Sequence, residues 1–333
     1  MRVIRNSCLA YFLLCAGLVC LLVGCSTAPP AITAVPKASP TRAGATLDAY
    51  QSQTSIFGVA WSPDGKRIVS GGASNVVQIR NVATGHVLFN LRGHTGEVWA
   101  VAWSPDGKRI VSASWDGTAQ VWNATTGQHL LTYRGHSNLV LAVAWSPDSQ
   151  RIVSAGSDHT AQVWNATTGK LLLTYRGHDG TISSAAWSPD GKNIATASFD
   201  QTVQVWNAAT GKTLTTYRGQ TSRIWSVAWS PDSTRIASGD EDGVVQVWYI
   251  ETGSYYQVYR GHQGAVQALG WSPDGTRIAS GSWDTTVQIW NVSSRQTLLI
   301  YRGHGSSVGT LAWSPDGKLI ASVAYDIQIW QAD

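Results

Sequence analysis

The stretch VWAVAWSPDGKRIVSASWDGTAQVWNATTGQHLLTYRGH, residues 98–136, decides the fold. Val98 to Trp103 is an apolar run, Ser104-Pro105-Asp106-Gly107 a turn, and Arg109 to Ser114 a second run that leads to a turn at Asp116. Ala119 to Trp122, an Asn-Ala-Thr-Thr-Gly turn and Leu130 to Tyr133 complete the unit ahead of Arg-Gly-His. Short runs rich in Val, Ile, Trp and Tyr, punctuated by Pro-Asp-Gly and Thr-Gly, are strands joined by tight turns. Trp-Ser-Pro-Asp recurs at Trp61, Trp103, Trp145, Trp187, Trp229, Trp271 and Trp313, always 42 residues apart. No stretch after Cys25 carries helical periodicity over a useful length, so each unit is four strands.

A lone four-stranded sheet with two apolar faces can bury neither, whereas sheets stacked radially bury both. The expected architecture is all-β: a seven-bladed propeller of four-stranded antiparallel blades over residues 46–333. The seventh unit stops three residues after Trp330 and lacks its fourth strand, while residues 46–50 precede the first unit where a fourth strand would fall. That N-terminal strand is expected to complete the last blade and close the ring.

With 13% charged and 43% hydrophobic residues and 17 tryptophans, the chain is too apolar and aromatic for disorder. Its net charge of +4 is small for 333 residues and gives no case for nucleic acid as a partner. At the N-terminus, Arg2 and Arg5 precede an uncharged apolar run from Cys8 to Gly24, the pattern of an export signal over residues 1–24. Leu22-Val23-Gly24-Cys25 resembles the bacterial lipobox, which implies cleavage before Cys25 and its acylation. The alternative is an uncleaved membrane helix, since 17 apolar residues just reach the spanning limit. The small-residue–cysteine junction and the polar, proline-rich segment after it favour cleavage. All four cysteines lie at or before position 25, so the mature chain forms no internal disulfide. Residues 25–45 are expected to be the lipidated cysteine and a tether. Some 20 residues of that composition span about 25 Å as coil and up to about 60 Å as a polyproline-like spacer.

A period near 40 with Gly-His at one end and a late tryptophan at the other resembles the WD-repeat family over about 288 of 309 mature residues. Bacterial periplasmic propellers with Ser-Pro-Asp-Gly-Lys units are a weaker match, because they lack both features. His94, His136, His178, His262 and His304 are each followed 22 residues later by an acid: Asp116, Asp158, Asp200, Asp284 and Asp326. With Ser112, Ser154, Thr196, Ser280 and Ser322, this reads as a hydrolase triad five times over. Repetition argues against catalysis, which needs one constellation beside one oxyanion hole. The resemblance implies instead that these residues and Trp122, Trp164, Trp206, Trp290 and Trp330 form a hydrogen-bonded brace in each blade. In blade five the corresponding set is Ser238, Asp242 and Trp248, with Gln220 for the histidine. Blade one departs furthest, with Ser74 for the acid, Arg80 for the tryptophan and no Gly-His ahead of it. No pair of histidines has metal-ligand spacing, and the triplet Asp240-Glu241-Asp242 lacks the spaced ligands of a calcium site. No enzyme activity, metal or cofactor is therefore expected.

Motif and late-strand positions account for 13 of the 17 tryptophans, leaving Trp99, Trp115, Trp225 and Trp283. By the geometry of the WD family these emerge on one face around the channel mouth, together with Phe57, Leu141, Phe199, Glu241 and Tyr325. Leu139 and Arg223 lie two residues ahead of that ring. So large an apolar exposure is expected to mark a contact surface, in which Trp, Tyr and Arg are the usual hot spots; the alternative is that these aromatics pack against neighbouring loops and add stability. The expected function is a non-enzymatic scaffold for a protein or peptide, held by a lipid on the outer face of the cell membrane, or on an outer membrane if the host has one. The alternative is carbohydrate or cell-wall binding, since aromatic rings stack on sugar faces. The propeller is expected to be monomeric. Cys25→Ala is expected to release the protein or leave it unprocessed; intact mass and membrane fractionation unaffected by that substitution would exclude the lipid anchor.

Overall fold

The computed structural model describes residues 42–52 and 54–333. The export segment, Cys25 and nearly all of the tether lie outside the described residues. Twenty-eight strands form seven four-stranded antiparallel sheets, and there is no helix among the described residues. The first blade contains β2 (Ile56–Trp61), β3 (Arg67–Gly72), β4 (Val76–Asn81) and β5 (Val87–Arg92), ordered from the ring axis outward. The same order repeats through the sixth blade, which ends at Tyr301. In the seventh blade the outer strand is β1 (Thr46–Tyr50), antiparallel to Ile327–Gln331, with Thr46 opposite Trp330 and Tyr50 opposite Ile327. The N-terminal strand closes the ring.

The motif that sets the period also builds the turns. Ser104 Oγ donates to Asp106 Oδ1 at 2.5 Å and accepts from Arg109 N at 2.9 Å, while Asp106 Oδ1 accepts from Lys108 N at 3.0 Å. Gly107 completes the turn at φ 69°, a conformation that costs glycine least. Where Ser149 replaces that glycine it holds φ 59°, and its hydroxyl accepts from Asp106 N of the neighbouring blade at 3.1 Å.

Five of the seven motif tryptophans join blade to blade by a hydrogen bond, whereas the indole N–H of Trp103 and of Trp187 has no acceptor. Trp145, Trp229 and Trp271 donate their indole N–H to the carbonyls of Ala102, Ala186 and Ala228 in the preceding blade, at 3.0–3.2 Å. Trp61 does the same across the closure, to Ala312 at 3.1 Å. Arginines of one blade lie over the motif indole of the next, as Arg67 over Trp103 at 4.6 Å and Arg109 over Trp145 at 4.8 Å. Farther out, tyrosines stack on the late tryptophans of the following blade: Tyr133 on Trp164 at 4.5 Å and Tyr301 on Trp330 at 4.3 Å. At the seam that stack becomes Tyr50 under the Arg80 guanidinium at 4.9 Å.

Two bulges recur in the blades. One lies on the outer strand, where the pairing skips Leu88, Leu130, Leu172, Leu214 and Leu298. These leucines are 44–51% exposed, and the bulge beneath each twists the free edge away from flat pairing with another molecule. The second bulge lies on the innermost strand and shapes the channel mouth. Entry of the chain is at the opposite end of the ring, where Gly44 N donates to Gln331 O and Ala332 N to Lys318 O in the Ser314–Lys318 turn.

Deleting residues 44–51 removes the outer strand of one blade, its ladder to Ile327–Gln331 and the Tyr50 contact at once. The melting temperature of the deletion variant is expected to fall by roughly 10 °C, the scale of several kcal/mol in a domain this size. A variant that melts with the parent in scanning calorimetry would refute the closure role of β1.

Candidate functional site at the mouth of the ring

The innermost bulge falls at one position in six successive blades: the pairing skips Phe57, Trp99, Leu141, Ser183, Trp225 and Gln267. A bulged residue is freed from the in–out alternation of the strand and re-aimed. Here all six, together with Gly309 of the seventh blade, line one cavity of about 140 Å3 at the mouth of the channel. It adjoins a wider cleft of about 280 Å3 bounded by Phe57, Trp99, Trp225, Gln267, Trp283 and Tyr325.

Two aromatic walls face this cleft. In one, Phe57 lies 4.9 Å from Trp99, which stacks on Trp115 at 5.2 Å. In the other, Phe199 meets Trp225 edge-on at 4.6 Å, Trp225 lies 5.5 Å from Trp283, and Arg223 covers Phe199 at 5.5 Å. Trp115, Trp283 and Tyr325 are 39, 44 and 65% exposed, whereas Phe57, Trp99, Leu141, Phe199 and Trp225 are half-buried. Glu241 sits on the rim, 3.9 Å from Arg223, and Leu139 shares a shallow recess with Trp115. The Trp283 indole donates to Gln267 Oε1 at 2.8 Å, but the buried Nε1 of Trp225 has no acceptor. Gly309 leaves one side of the mouth open, since a Cβ built there meets nothing nearer than Gln267 Oε1 at 3.9 Å.

The histidine sets lie elsewhere, inside the blades. His94 Nδ1 is 2.8 Å from Asp116 Oδ2 and its Nε2 is 2.8 Å from Ser112 Oγ, which also accepts from Trp122 Nε1 at 2.9 Å. His136, Ser154, Asp158 and Trp164 repeat this arrangement, as do His178, Thr196, Asp200 and Trp206. An indole only donates, so the hydroxyl donates its hydrogen bond to Nε2 and the Nδ1–H points at the carboxylate. This is triad geometry without access: Ser112, Ser154, Thr196, Ser280 and Ser322 are wholly buried.

The family model of the WD domain, G-beta repeat, matches residues 44–81, 85–123, 127–165, 169–207, 211–249, 253–291 and 295–330. The chain belongs to the WD40 repeat family. None of the curated proteins compared with it matches. WD40 propellers are in general non-catalytic interaction scaffolds, which agrees with sealed hydroxyls and an open cleft.

Three of the WD40 braces differ from the sequence expectation. In blade five the acid is Asp240, not Asp242: Gln220 Nε2 donates to Asp240 Oδ2 at 3.2 Å, Ser238 Oγ donates to Gln220 Oε1 at 2.7 Å and accepts from Trp248 Nε1 at 3.2 Å. Glutamine carries both polar atoms at its tip, deeper than the Nδ1 of histidine. Its amide meets a carboxylate on the strand, and Asp242 stays exposed in the turn. In blade seven the shortened turn holds Asp326 Oδ1 3.6 Å from His304 Nδ1, beyond hydrogen-bond reach, although His304 Nε2 meets Ser322 Oγ at 2.6 Å and Trp330 Nε1 donates to the same oxygen at 2.9 Å. In blade six His262 contacts Asp284 and Ser280 at 2.8 Å each, but Trp290 Nε1 has no acceptor.

Two further members of the brace escaped the sequence reading. Gln162 accepts the Tyr133 hydroxyl of the preceding blade at 2.5 Å and donates to Gly135 O at 3.1 Å, and Gln288 repeats this with Tyr259 and Gly261. Thr118 and Thr202 donate to Asp116 and Asp200. The periodic Asp-x-Thr-x-Gln-x-Trp spacing was the available signal. Among the described residues no cluster of three or more His, Cys, Asp or Glu could hold a metal.

The braces couple stability to pH. At Asp158 burial opposes ionisation, but bonds from His136 and Thr160 outweigh it and hold the carboxyl down to about 2; Asp116, Asp200 and Asp284 are lowered in the same way. Burial pushes His262 and His304 below the usual imidazole range despite their acids, so they bind fewer protons folded than unfolded. Both shifts make stability fall with pH, the histidines from about 6.5 downward and the aspartates from about 4. Asp240, raised by burial, acts with the opposite sign and softens the acid loss. The melting temperature is expected to be level above pH 7, to decline gently toward pH 5 and steeply below pH 4. The double variant His262→Gln, His304→Gln should lose the gentle phase alone; a pH profile parallel to the parent's would contradict the assignment.

Proposed function

We propose that the chain is an exported, lipid-anchored scaffold that holds a protein or peptide ligand in the cleft between its two aromatic walls. The observation that carries this reading is the bulge at each ring position. It turns Phe57, Trp99 and Trp225 into one mouth. The walls offer an apolar side chain of the ligand two aromatic surfaces to pack against. Aromatic anchors of this kind dominate binding energy when a partner excludes water from them. The rim pair Arg223 and Glu241 contributes orientation more than affinity.

The anchor through Cys25 rests on the Leu22-Val23-Gly24-Cys25 motif. With more than one acyl chain at Cys25 the attachment is stable, and the body stands off by the span of the tether.

Affinity recovery from host membranes should compare the parent with two variants. Trp99→Ala, Trp115→Ala, Trp225→Ala, Trp283→Ala removes the walls, and Gly309→Trp plugs the open side from a position where a Cβ meets nothing nearer than 3.9 Å. Both are expected to lose the same bound proteins, by tenfold or more in yield for a hot-spot cluster of about 2 kcal/mol or more. Undiminished recovery by both variants would discard the cleft. Loss of indole fluorescence on adding soluble glycan, reversed in the plugged variant, would transfer the site to carbohydrate.

A further inference from the structure

A cavity of about 310 Å3 opens in the first blade, apart from the cleft. Its walls are the positions that the brace fills in other blades. Counting back 42 residues, Ser52 stands where blade two has His94, Ser74 where it has Asp116, Val76 where it has Thr118 and Arg80 where it has Trp122. Each of Ser52, Ser74, Val76 and Arg80 lines the cavity, as does Ser70, the counterpart of Ser112. An imidazole, a carboxylate and an indole have been exchanged for two hydroxymethyl groups and a guanidinium. The exchange opens space and reverses the sign of the charge.

Arg80 is fixed in place. Its Nη1 donates to Gly85 O at 2.7 Å, and its guanidinium lies over Tyr50. Its Nε is buried and has no hydrogen-bond partner, and no carboxylate pairs with it among the described residues. Asp326 reaches the rim residue Gln51 at 3.5 Å but does not line the cavity. Arg80 is half-buried, its Nη2 donates only to the neutral Gln78 Oε1 at 3.4 Å, and a carboxylate is the strongest partner for a guanidinium held by neutral acceptors alone. Around it the wall is mostly hydroxyl and amide, with Ile56 and Val76 as the apolar part. The volume is at the lower end for small-molecule sites, about 300–1,000 Å3.

We infer that this cavity is a binding site for a small hydroxylated carboxylate of sugar-acid size, its carboxylate on Arg80 and its hydroxyls on Ser52, Ser70 and Ser74. The site is distinct from the cleft: it lies between the first blade and the connection from β1, and shares only Ser55 and Ile56 with the cleft lining.

Isothermal titration of the full chain with D-glucuronate, D-glucose, acetate and sulfate tests the site. Glucuronate is expected to bind saturably and to raise the melting temperature, with glucose silent and acetate weaker. Arg80→Gln should weaken glucuronate about tenfold or more, the loss of one charge-assisted bond. Ser74→Asp should do the same by restoring the acid of the other blades at an exposed turn position, and so reports on the site even if the Arg80 variant misfolds. Trp99→Ala, Trp225→Ala should bind as the parent does, which separates failure here from failure of the cleft. No saturable glucuronate binding, equal binding by Ser74→Asp, equal binding of glucose, or binding of sulfate alone as an adventitious ion only would overturn the inference.

Discussion

The ring rests on the burial of each blade against the next, and the motif indole is where that burial becomes directional. An apolar sheet face pressed on another has no preferred register. An indole whose N–H is spent on one carbonyl of the neighbour does have one, and Trp61 on Ala312 applies the same rule across the closure as Trp145 on Ala102 does within the ring. Arginine over indole and tyrosine over tryptophan repeat the seam at larger radii. At junctions such as that between Trp145 and Ala102 the angular step is held at three radii, and at others by fewer of these contacts.

Much of this was legible because it repeats. The Trp-Ser-Pro-Asp spacing gave period, strand count and turn chemistry, and the missing fourth strand of the seventh unit pointed to residues 46–50. The limits of that reading are equally physical. Asp242 was chosen by counting 22 residues, but hydrogen bonds are made by atoms: glutamine and histidine offer donors at different depths, so the acid moved to Asp240. The glutamines and threonines of the brace were passed over because each is unremarkable alone and only the fixed offset from the tryptophan marks it. The position of Trp99 and Trp225 at the mouth came from family resemblance, whereas its cause, a bulge that skips those residues in the ladder, has no signature in a single unit.

That bulge separates two tasks within one repeat. Residues in register keep the alternation that buries Ile110 and Val111, so their identity is dictated by packing. The skipped residue belongs to neither face, and the ring accepts Phe57, Leu141, Ser183 or Gln267 there at little cost to its neighbours. Variation gathers where the framework has released a side chain, which is why the mouth is heterogeneous while the blade interiors are nearly uniform.

The braces obey a stricter rule, and the three atypical blades show it. Removing one partner from a buried polar set strands the others, whereas removing all of them together is nearly neutral. Blade five changed one member and had to recruit a different acid to satisfy it. Blade seven shortened a turn and left His304 Nδ1 without a hydrogen bond. Blade one gave up the histidine, the acid and the tryptophan at once, and its apolar core of Ile68, Val69, Val77 and Ile79 remains fully buried. Only the full exchange leaves hydroxyl-lined space rather than stranded donors, so the first blade is the one in which a polar cavity is compatible with the fold. The exception is Arg80 Nε, a donor that the packing of the blade alone gives no reason to keep.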